Sequence, residues 1–92
     1  MANYLMFGTY SAEGIKGVSA KRTKKATQII KDNGGKYRDG YALLGDVDLV
    51  LVVDFPNTES AMKASVGLSQ LLGVNFTTAA AVSVEKFDKL IG

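Results

Sequence analysis

Leu49-Val50-Leu51-Val52-Val53 is the stretch whose reading decides the fold. A strand with one face in water alternates apolar and polar residues, whereas a strand covered on both faces is apolar throughout. These five residues are unbroken, and Tyr4-Leu5-Met6-Phe7 nearly matches them. The helices that the rest of the chain can supply cover one face of such a sheet. The second face would leave a larger apolar patch in water than soluble monomers usually carry. A second copy, sheet against sheet, is the economical cover.

Working outward, Asn3 to Tyr10 reads as the first strand and ends at the turn-prone Ser11-Ala12-Glu13-Gly14. Ser19 is placed to cap a helix running to about Asn33, with Ala26, Ile29 and Ile30 as its apolar stripe. Gly34-Gly35 stops that helix. Lys36 to Leu44 and Asp48 to Phe55 form the second and third strands, joined through Gly45-Asp46-Val47. Asn57 caps a second helix to about Leu72, with Ala61, Ser65, Leu68 and Leu72 on one face, and Gly73 ends it. Val74 to Val82 is the fourth strand, and Ser83 starts a short last helix holding Phe87, Leu90 and Ile91. The order is βαββαβ over one domain, residues 1–92. Short, right-handed connections make it an α+β, ferredoxin-like sandwich: four antiparallel strands with two helices on one face.

Composition narrows the chemistry. The chain has 92 residues, 47% of them hydrophobic, with neither histidine nor cysteine. Disulfides, thiolate or imidazole metal sites, and Ser-His or Cys-His nucleophiles are therefore absent. No metal and no cofactor are expected. No stretch approaches the roughly 20 apolar residues of a membrane span, and no targeting segment is visible. A soluble, cytoplasmic protein without a membrane partner is the expectation. Eight basic residues (Lys16, Lys21, Arg22, Lys24, Lys25, Lys31, Lys36, Arg38) face a single acid, Asp32, between positions 16 and 38. Without interleaved aromatics or a helix-turn-helix they read as a solvated helix face, and no nucleic-acid partner is expected.

Tyr4 through Tyr10, then Ser11-Ala12-Glu13-Gly14-Ile15, a helix holding Arg22, the Gly34-Gly35 stop, Tyr41, and the Leu44-Gly45-Asp46-Val47-Asp48 turn before an aliphatic strand resemble the GYD-domain family. The resemblance spans essentially the whole chain, with Val47 where the family's turn carries tyrosine. It implies a dimeric α/β barrel and says little about activity.

Three residues stand out as ligand-binding candidates. Arg22 sits on the inner stripe of the first helix, where its donor fork suits a carboxylate or phosphate, although a structural ion pair is the competing reading. Asp48 pairs with Asp46 as a potential acid or cation site, against the plainer role of bonding the hairpin backbone. Tyr41 belongs with Tyr4, Tyr10 and Tyr37 among the polar aromatics, which fit packing across a subunit interface better than ligand contact. The dimer interface is assigned to Tyr4, Met6, Tyr10, Leu49, Leu51 and Val53. A homodimer or higher oligomer with a small-molecule pocket is the favoured function. A cofactor-free isomerase or oxygenase and a purely structural assembly protein are the alternatives.

Overall fold

The computed structural model describes all 92 residues. They run β1 (Ala2–Tyr10), α1 (Ala12–Lys16), α2 (Ala20–Asp32), β2 (Lys36–Ala42), β3 (Leu49–Phe55), α3 (Thr58–Leu72), β4 (Val74–Ala81), α4 (Val84–Ile91). The strands form one antiparallel sheet in the order β2-β3-β1-β4, so the two most apolar strands are central. This is the expected βαββαβ, ferredoxin-like arrangement with a C-terminal helix.

Local chemistry explains the boundaries. Ser19, Asn57 and Ser83 each turn a side-chain oxygen to the backbone N–H three residues on, occupying donors that a helix start leaves unpaired. Ser11 does the same for Gly14 and opens α1, a one-turn helix where the sequence suggests only a turn. Gly73 ends α3 in the left-handed region at φ 64°, which costs a residue without a side chain nothing.

The core lies between the sheet and α2 and α3. Met6, Val53 and Phe55 meet Ile30 and Leu68, all essentially inaccessible to water. Tyr4 packs edge-on against Phe55, ring centres 6.0 Å apart. On α3, Ala64 is fully buried, whereas the expected Ser65 lies only partly covered beside it. Each large side chain so buried contributes about 1.5–3 kcal/mol.

The residues assigned to the dimer interface belong to this layer, and that assignment is corrected. Tyr4 lies opposite Val53, Met6 opposite Leu51, and Tyr10 opposite Val74, all turned toward the helices. Leu49 packs against the same core. The face turned away carries Leu5 and Phe7 of β1, paired with Val52 and Val50 of β3. These four are partly exposed and lie outside the core. When both alternating sets are apolar, the two-residue period has no phase marker, so the sequence names the strands but not the side.

The molecule's shortest dimension is 19 Å, the thickness of one sheet and one helix layer. Nothing in the chain forms a third layer. The terminal α4 packs closely on no other element: Val84, Phe87, Leu90 and Ile91 are all more than half exposed. Accordingly the radius of gyration, 13.6 Å, exceeds the about 12 Å of a compact domain of this length.

Candidate functional site

The site begins at a contact between two glycines. The backbone of Gly14 in α1 presses on the chain at Leu72 and Gly73, leaving no room for a Cβ. Beside it, the Ser11 amide donates to the Gly73 carbonyl at 2.8 Å. This fixes the end of α1 against the end of α3 and aims the Gly14 carbonyl at α2. Arg22, in the first turn of α2, donates from Nη1 to that carbonyl at 2.7 Å. Its guanidinium lies over the Tyr10 ring, 5.7 Å from the centre, a distance at which a cation gains from the ring's negative face.

Arg22 and Tyr10 line a cavity of about 170 Å³ between the first turns of α2 and the sheet. Its walls are mostly apolar, including Val18, Ala26, Leu49 and Leu51, with Tyr37, Ser19 and Thr23 adding polar atoms. One cation and no carboxylate are in the lining. Arg22 is only partly exposed and forms no salt bridge.

Of the other ligand candidates, Tyr41 borders the cavity but sends its phenol elsewhere. The register of β2 shifts between Tyr37 and Asp39, a bulge that breaks simple alternation. Tyr37 pairs with Val53 on the helix side, whereas Asp39 and Tyr41 pair with Val52 and Val50 on the open side. There the Tyr41 hydroxyl donates to the Asp39 carboxylate at 2.6 Å. That bond, and then the carboxylate's charge, hold the phenol's pKa above 10.0.

Asp48 does not reach the cavity. Its carboxylate accepts the Tyr10 amide at 2.9 Å, its own amide donates to Gly8, and its carbonyl accepts from Leu43. The first two bonds tie the β2–β3 connection to β1 and the third closes the connection on itself, so the role is a backbone one, with the carboxylate on β1 and not on the hairpin. Its neighbour Asp46 is exposed. No three acids converge anywhere as a metal-binding group.

A polar cluster that sequence reasoning missed sits on the open face. The Asp54 carboxylate, 6% exposed as a residue, accepts from Asn3 Nδ2 at 2.9 Å and pairs with Arg38 Nε. The Asn3 bond first, then the Arg38 bond, hold its pKa below the usual carboxylate value. A larger groove of about 440 Å³ separates α3 from β4, but Tyr4, Ala61, Met62, Val66 and Phe76 make it apolar and no charged group enters it.

The sheet order, the paired βαβ halves and the helices on one face define a ferredoxin-like α+β domain. The family model of the GYD domain matches residues 4–91, nearly the whole chain. The protein belongs to the GYD-domain family. No curated protein matches its sequence. No helix is long and apolar enough to cross a membrane.

Proposed function

We propose that the protein is a homodimeric, cytoplasmic small-molecule-binding module of the sensory kind. Two copies meet through Leu5, Phe7, Val50 and Val52, and each protomer offers the cavity beneath α2. One observation carries the binding reading: a cation and several phenol and hydroxyl groups converge on a small, otherwise apolar hollow. Binding is favoured over catalysis by the chemistry of that lining. It presents no acid, and the Tyr41 phenol, shifted away from ionisation, is turned to the other face. A general base would need the opposite shift, or a carboxylate within reach of a bound molecule.

The test pairs two measurements on the wild-type protein. Sedimentation at micromolar concentration should give about twice the monomer mass. A fragment screen followed by amide chemical shifts should move resonances around Tyr10, Arg22 and Leu51. A stable monomer would remove the dimer, and shifts confined to other surfaces would remove the cavity as the binding site.

A further inference from the structure

We infer that the cavity beneath α2 takes a small monocarboxylate with an apolar or aromatic body, its carboxylate held by Arg22. This rests on reading the cavity as the binding site and names the ligand's chemical class.

Three observations converge. A guanidinium offers five N–H donors, and the Gly14 carbonyl takes one of them. Arg22 forms no ion pair, no acid shares the cavity, and the side chain is partly withdrawn from water. A desolvated cation without a counter-charge is unfavourable, and an arriving anion reverses that cost. The surrounding field adds to the attraction. Arg22 occupies the first turn of α2, where the helix carries its positive end and a cation is the wrong charge. The other three helices each place an acid in their first turn (Glu13, Glu59 and Glu85), whereas α2 has none.

Size and lining choose among anions. Arg22 is the only charged group in the lining, so it matches one negative charge and not a phosphate dianion, which calls for more donors. About 170 Å³ with nine hydrophobic residues around it accommodates a compact apolar body and excludes a nucleotide. Tyr10 and Tyr37 supply flat walls for a ring.

Benzoate and its neutral counterpart benzamide are the probes, titrated by calorimetry and amide chemical shifts into wild type, Arg22→Gln, Arg22→Lys and the cavity-filling Ala42→Phe. Benzoate should bind wild type at least tenfold tighter than benzamide, the range expected for a hydrogen bond to a charged group, about 1.5–3 kcal/mol. Arg22→Gln should abolish that preference, Arg22→Lys should keep part of it, and Ala42→Phe should weaken both probes. Equal binding of the two probes to wild type would overturn the anion assignment while leaving the cavity reading intact. Retained benzoate preference in Arg22→Gln would do the same. Failure of both probes to shift any cavity resonance would overturn the cavity reading and the inference together. If Arg22→Gln unfolds through loss of its bond to Gly14, the wild-type comparison of the two probes still decides.

Discussion

The two faces of the central strands are built from the same kinds of residue and meet opposite fates. On one face Met6 and Val53 are wholly buried by α2 and α3. On the other, Leu5, Phe7, Val50 and Val52 remain partly in water. Adjacent residues of one strand thus divide between a core completed within the chain and an apolar surface that the chain leaves open. Burial on the first side belongs to the folding of one molecule, whereas burial on the second, through the proposed pairing of two copies, would depend on protein concentration. A continuous apolar strand thus supplies a core on one side and a partly exposed apolar surface on the other.

The largest expected effect breaks the covered side. Phe55→Ala, at a fully buried site packed by Tyr4, should lower unfolding free energy by about 3–5 kcal/mol. Denaturant titration should give the same loss for the monomeric fraction at any protein concentration. Next comes the open side. Val52→Lys should weaken self-association at least about a hundredfold, or about 3 kcal/mol, because a charge would have to be desolvated between the sheets. Sedimentation reads this, and the far-ultraviolet spectrum should stay native.

A third test concerns the polar end of the open face. Asp54→Ala should cost about 1–3 kcal/mol, since Asn3 and Arg38 lose their shared acceptor. The folded carboxyl has a lower pKa than the unfolded one, so the folded state binds its proton less readily. Its contribution is therefore present in full above about pH 4, the unfolded value, and is lost as pH falls through the lower folded value. Urea midpoints measured across that window should drop more steeply in wild type than in Asp54→Asn. The smallest effect is spectroscopic. Replacing Asp39 by Asn should bring the Tyr41 phenol back down toward its ordinary pKa, readable as an earlier ultraviolet transition in an alkaline titration.

Much of this architecture is written locally. Ser19, Asn57 and Ser83 announce helix starts because capping needs only the residue and the three that follow it. Gly73 announces an end for a similarly local reason. What escaped the reading is settled by register or by contacts far along the chain. Choosing Met6 over Leu5 for the core is a matter of phase, and both are apolar. The β2 bulge that parts Tyr37 from Tyr41 has Gly40 close by, but a strand glycine fits a bulge, close packing or room for a ligand equally well. The bond between Asn3 and Asp54 joins positions 51 residues apart and exists only through the pairing of β1 with β3. Arg22 was legible as an oddity on an inner stripe, but its glycine-fixed partner and the cavity beside it come from packing at the far end of α3.

The exposed α4 has a dynamic consequence. Eight residues are fewer than the about 12–15 at which an isolated helix begins to persist in water, and its one ion pair, Lys89 with Glu85, is solvent-exposed and adds little. With Val84, Phe87, Leu90 and Ile91 bare, its amides should open without disturbing the core and exchange their protons faster than those of the sheet, which hydrogen exchange would read directly. Any surface that shelters this apolar stripe slows that exchange, so the last turns of the chain are a built-in gauge of whether the protein stands alone or in company.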